Sequence, residues 1–160
     1  MHIMNIITPE RFKMLLPLAC AWAAEQERTI LQTGVALTES QLTDARQIGV
    51  GQPEQVRLLR VTRIPMPTQL ELAAVAAAAG LISPATAGLT IRYGIFIRDD
   101  CWGQRLLVVH ELVHTMQYER LGGIEAFLRP YLLECIAPPF YPNGPMEQEA
   151  INTSAKVCAA

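Results

Sequence analysis

The run Leu106-Leu-Val-Val-His-Glu-Leu-Val-His-Thr-Met116 sets two histidines and a glutamate among seven large apolar residues, and it closes on Gly122-Gly123. A helix that is apolar on nearly every side has to be buried, and imidazoles and a carboxylate taken out of water need partners. The rest of the chain must therefore fold around this segment and satisfy it. At 100° per residue, His114 lies about 40° from His110, so both rings leave one face within reach of a single ion, while Glu111 lies about 100° from His110 and about 60° from His114. Glu111 is adjacent to the ligands without being one. Two neutral imidazoles on a metal, with a carboxylate beside them to take a proton from water, are the parts of a hydrolytic zinc site. In that reading the cofactor is Zn²⁺, and Glu111 is the general base and later the proton donor to the leaving amine.

With 160 residues the chain has the length of one domain, residues 1–160, and can bury a core without disulfides. A hydrophobic share of 51% against 18% charged residues excludes intrinsic disorder and low-complexity classes. The formal charge of -2 carries no basic excess, so neither nucleic acid nor a membrane surface is expected as a partner. No apolar stretch reaches the ~20 residues of a membrane span. Lys13 to Ala24 superficially resembles a secretory signal, but Thr8-Pro9-Glu10 upstream reads as an N-cap, a first-position proline and a first-turn acid, so a first helix and a cytoplasmic location are expected. Cys20, Cys101, Cys135 and Cys158 form no CxxC pair and read as reduced, structural thiols.

Along the chain, the pattern predicts a helix over 9–32, bent at Pro17 and stopped near Gly34, then a capping box, Thr38-Glu-Ser-Gln41, opening a helix that ends at Gly49. A strand follows over 56–64, carrying Arg57, Arg60 and Arg63 as a candidate cationic rim, and a second capping box, Thr68-Gln-Leu-Glu71, opens an alanine-rich helix to Ala79. Leu89 to Arg98 reads as one strand with Ile91, Tyr93, Ile95 and Ile97 on one face. The metal-motif helix is expected from about Trp102 to Leu121, capped by Asp99 or Asp100. A helix over 124–135, a proline-rich loop and a last helix from Pro145 complete the chain.

A catalytic zinc needs a third protein ligand. Gln117 and Arg120 stand where a metzincin would have glycine and histidine, and the remaining histidine, His2, is close to the chain start, so a later carboxylate is the better source. Glu134, Glu147 and Glu149 compete. Glu147 shares its helix face with Ala150, Ile151, Ser154 and Cys158, a small stripe able to pack closely, whereas Glu149 shares the face of Asn152, Thr153 and Lys156, which reads as solvated.

The pairing of His110-Glu-Leu-Val-His114 with Glu147-Gln-Glu-Ala150 resembles the gluzincin metallopeptidases, specifically small bacterial zincins that combine HExxH with a downstream Glu-x-x-Ala. The resemblance covers about residues 89–160 and implies that Glu147 is the third ligand. Ile151 stands where many relatives carry an aspartate that supports the site from behind, so that role is unfilled. The expected fold is α+β and zincin-like, with the active helix and the final helix crossing at the zinc and a small twisted sheet to one side.

In the zincin plan a sheet edge above the metal pairs with an extended substrate, and Gly94 would let a backbone approach there. Gln117 points to the metal side of its helix and is placed to brace a loop or ligand. Tyr118, Tyr131 and Tyr141 are candidate oxyanion donors; Tyr141, in the loop before Glu147, is the first to test. The expected function is a zinc-dependent metallopeptidase acting on a peptide or protein substrate. The alternative is a catalytically silent zincin-like module that holds a protein partner in the metal cleft, motivated by how little chain remains to build a deep pocket. A closed structural site, with Glu149 or Cys135 as a fourth ligand, is a third reading.

Overall fold

Thr8 accepts a hydrogen bond from Arg11 N and Pro9 opens the first turn, so α1 (Pro9–Thr33) starts where the local sequence demands. The structure, a computed structural model, describes residues 5–159. The signal-like stretch forms the middle of α1, where Leu15, Leu16, Ala19 and Ala23 are buried. Among the described residues no helix is long and apolar enough to cross a membrane.

The architecture is α+β. Six α-helices surround a four-stranded mixed sheet, counted among the described residues: β1 (Val35–Ala36), α2 (Glu39–Ile48), β2 (Arg57–Val61), α3 (Leu70–Ala78), β3 (Gly88–Ile91), β4 (Gly94–Arg98), α4 (Arg105–Leu121), α5 (Ile124–Ile136) and α6 (Pro145–Ala159) come after α1. Strand order is β1-β2-β4-β3, with β2 and β4 parallel and the outer pairs antiparallel. The Thr38–Gln41 capping box and the left-handed Gly49 stop bound α2 as expected.

Both faces of the sheet are covered. On one, Leu58, Ile95 and Ile97 pack with Ala45 of α2 and with Val108 and Leu112 of α4. On the other, Ile91 and Phe96 pack with Ala23 and Ile30 of α1. β4, buried on both sides, reads as a nearly continuous apolar run for that reason.

Five expectations are corrected. Leu89 to Arg98 is a hairpin rather than one strand: the register pairs Ile91 with Gly94, leaving Arg92 and Tyr93 as a two-residue turn. Ile91 accordingly faces α1, while Ile95 and Ile97 face α4. No Asn-Gly or Gly-X pair marks this turn. Buried Glu27 of α1 holds it instead, accepting from Arg92 Nε and Nη2 at 2.9 and 2.8 Å and from Tyr93 N at 3.1 Å, with Arg92 at φ 55°. Gly94 makes room for α1, not for a substrate, since a Cβ there would lie 3.0 Å from Ile30. The cap of α3 is Gln69, whose side chain accepts from Leu72 N, and not Thr68. Asp99 and Asp100 sit in a 3₁₀ turn (Asp99–Cys101) before α4 and pair with Arg60 and Arg98, while α4 starts after Gln104. The arginine rim also disperses: Arg60 lies over the Trp102 ring at 4.7 Å, and Arg57 donates to backbone carbonyls.

Candidate metal centre

Two anchors fix α4 against its neighbours. Arg105 donates to both oxygens of buried Asp44 on α2 at 3.0 Å, and Glu119 accepts from Gly51 N, Gln52 N and the Tyr93 hydroxyl. Between these anchors His110 and His114 leave α4 one turn apart, with ring centroids 5.1 Å apart. Ligand atoms of His110, Glu111 and His114 lie within 4.8 Å of one another. α6 crosses α4 here and brings Glu147 against both rings: its Oε1 is 2.7 Å from His110 Nε2 and its Oε2 is 3.1 Å from His114 Nε2. Glu111, His114 and Glu147 are only 5%, 6% and 5% exposed.

Of the two carboxylates, Glu147 is the one that bridges both Nε2 atoms. Glu111 is held differently. Thr90 Oγ1 of β3 lies 3.0 Å from both its Oε1 and its backbone oxygen, so a single hydroxyl proton serves two acceptors, and Glu111 Oε2 faces His110 Nε2 at 3.9 Å. β3 is the outer strand and passes directly over this residue. A Cβ on Gly88 would lie 3.1 Å from Glu111 Cγ, so glycine is what lets the strand come so near. Tyr118 donates to Thr90 O at 3.2 Å, which commits its hydroxyl to the strand.

The tautomer of His114 is set by its neighbour. Gln117, fully buried, donates through Nε2 to Met146 O at 2.9 Å and to Glu149 Oε1 at 2.7 Å, both pure acceptors. Its Oε1 therefore faces His114 Nδ1, 2.8 Å away, and Nδ1 must carry a proton. Nε2 is left to face the cluster. Gln117 thus fills the supporting role that Ile151, 39% exposed, cannot. Glu149 lies on a largely solvated face, as its helical neighbours suggested, and it is paired there: Arg120 grips both its oxygens at 2.7 and 3.0 Å, completing the line from Arg120 through Glu149 and Gln117 to His114. Replacing Gln117 by Leu should weaken the binding of a metal ion at this cluster roughly 10- to 100-fold, as measured by chelator competition.

Glu134 is removed from the cluster as well: its Oε1 accepts from Met146 N at 2.9 Å and caps α6. Cys135 is buried, and that burial, with Glu147 and Glu134 nearby, pushes its thiol up to about 12, so it keeps its proton and makes a poor ligand. All four cysteines are free thiols. His2 lies outside the described residues. From α5, Tyr131 donates to Glu147 Oε2 at 2.9 Å and stacks on Phe127, which stacks on Tyr118; His114 meets Tyr131 and Phe127 edge-on. Tyr141 lines a cavity together with His110, Glu111, His114 and Glu147, and burial, reinforced by Glu147 and Glu111, raises its pKa so that the hydroxyl stays protonated.

Burial opposes the charge on Glu147, yet hydrogen bonds from His110 and His114 outweigh it and hold the carboxyl well below its usual range. Burial likewise opposes a charge on His114, but its hydrogen bond to Glu147 and the field of Glu111 raise its pKa above 6.5. Each shift has a stability consequence. The depressed Glu147 contributes above 4.5, its unfolded value, and the contribution fades as pH falls below that; the raised His114 contributes below 6.5 and fades as pH rises through its folded pKa. Metal-free protein should therefore be most resistant to urea between those two values and lose stability on either side.

Comparison with protein-family models, with curated proteins and with solved structures gives no match. What the centre can do has to come from its own chemistry. Two imidazole nitrogens and a carboxylate, converging and with His114 and Glu147 buried, form the donor set that zinc takes at three protein positions.

Proposed function

We propose that the chain is a zinc-dependent peptide hydrolase of zincin-like architecture, with His110, His114 and Glu147 holding the ion and Glu111 moving the proton. One observation carries this reading: both Nε2 atoms face a single carboxylate on a second helix, while a different carboxylate stands beside them, held from behind by Thr90. The order of elements supports it too, with an outer strand over the motif helix and a glutamate-bearing helix crossing that helix.

Zinc bound there would supply Lewis acidity, polarising a peptide carbonyl and making water easy to deprotonate near neutral pH. Glu111 has Oε1 occupied by Thr90, so Oε2 is the atom that accepts the proton from the attacking water and returns it to the leaving amine. Tyr141, kept protonated, is the donor to the carbonyl oxygen as negative charge builds on it. Tyr131 instead steadies Glu147, and Gln117 keeps His114 turned correctly. A library of peptides incubated with zinc-loaded protein should yield cleavage products that vanish with a chelator and return with zinc. Intact peptides throughout would remove the hydrolase reading.

A further inference from the structure

β3 is an outer strand of four residues with a neighbour on one side only, so its place over α4 depends on how its ends are tied. The turn that joins it to β4 is tied from two directions. From α1, the buried carboxylate of Glu27 takes up Arg92 Nε, Arg92 Nη2 and Tyr93 N together. From α4, Thr115 Oγ1 donates to Arg92 O at 2.7 Å, Tyr118 donates to Thr90 O, and Glu119 Oε2 accepts from the Tyr93 hydroxyl at 2.8 Å. Arg92 is held at φ 55°, a conformation that a bulky residue adopts only under constraint and where a two-residue hairpin commonly has glycine. Burying a carboxylate is costly even when it is paired, and a glycine would close the same turn without one. Backbone strain kept in place by a buried ion pair points to a position that matters for function. Two residues before the turn residue Arg92, β3 carries Thr90, whose hydroxyl meets both Glu111 O and Glu111 Oε1.

We infer that Glu27 is a positioning residue for the proton-moving carboxylate. It fixes the Arg92–Tyr93 turn, the turn fixes β3 over α4, and β3 sets the Thr90 hydroxyl that occupies Glu111 Oε1 and leaves Oε2 for the attacking water. The inference rests on the proposed hydrolase and adds a residue whose hydrogen bonds all go to the turn and none to the metal cluster. A displacement of about 1 Å at a reacting group can cost roughly 100-fold in rate, even when its cause lies far from the chemistry.

Peptide hydrolysis by the zinc-loaded chain, with kcat counted per zinc-bound site, tests it. Glu27→Met is close in size and offers no oxygen to the turn; it should lower kcat roughly 10- to 100-fold while KM and zinc affinity stay near those of the parent. Thr90→Val should lose kcat to a similar degree, and Thr90→Ser, which keeps the hydroxyl, should retain most of it. Because Glu27 acts through that hydroxyl, adding Glu27→Met to Thr90→Val should cost little more. Should Glu27→Met fold poorly, Glu27→Gln keeps one acceptor oxygen and should show the same pattern with a smaller loss. An unchanged kcat in both Glu27 variants, losses that multiply in the double variant, or a zinc affinity that falls in step with kcat would overturn the positioning role and leave the hydrolase standing. If the unsubstituted chain cleaves no peptide, the hydrolase reading fails and this role falls with it.

Discussion

A Glu111→Gln chain should bind zinc as tightly as the parent and lose peptide hydrolysis by about 10²- to 10⁴-fold, the usual contribution of a positioned acid–base group. The substitution is nearly isosteric at a site only 5% exposed, and the amide oxygen can still accept from Thr90 Oγ1, so neither packing nor the β3 contact is disturbed. What disappears is a proton acceptor where Oε2 faces His110 Nε2. Because the loss falls on the transition state alone, kcat should drop with KM little changed. Steady-state kinetics beside metal analysis of the same sample reads both halves, and undiminished turnover would remove Glu111 from the mechanism.

Glu147→Ala should have the opposite signature, with zinc affinity falling by more than about 100-fold. At a free zinc concentration of 100 Kd, the parent gains about 2.7 kcal/mol of stability, or roughly 5–10 °C in Tm for a chain of this length. A 100-fold weaker site at the same zinc concentration gains only about 0.4 kcal/mol. The three competing glutamates then separate cleanly. Glu134→Ala should cost about 1 kcal/mol through its lost cap on α6 and leave the zinc-dependent gain intact. Glu149→Ala, which loosens Gln117 rather than the cluster itself, should fall between. Thermal unfolding with and without zinc ranks all three, and a full zinc-dependent gain in Glu147→Ala would contradict its assignment.

Much of the fold is readable in the sequence where local chemistry decides it. The caps at Thr8 and Thr38 and the glycine stops at Gly49 and Gly122 bound their helices as the residue types require. The closeness of His110, Glu111 and His114 comes from helix periodicity alone. Contacts set by tertiary structure are less visible. The Arg92–Tyr93 turn lacks turn residues because Glu27, far off in sequence, supplies the hydrogen bonds, and so the hairpin reads as one strand. With that break hidden, nothing in the sequence shows that Thr90 faces Glu111. Tyr131 is one of three candidate tyrosines until α5 places it on Glu147, and the bonds from Glu149 to Arg120 and Gln117 stay hidden because both partners come from another helix. The cavity beside the metal motif is invisible for the same reason: residues of α1, α3 and α5, which the sequence leaves unconnected to that motif, line it.

The most direct test is a crystal of zinc-loaded protein measured on both sides of the zinc absorption edge. The expected result is one anomalous peak per chain, touching His110 Nε2, His114 Nε2 and Glu147 and leaving a position open beside Glu111. A protein that takes up no zinc, or a peak that sits away from those two imidazoles, would contradict the metal centre and everything built upon it.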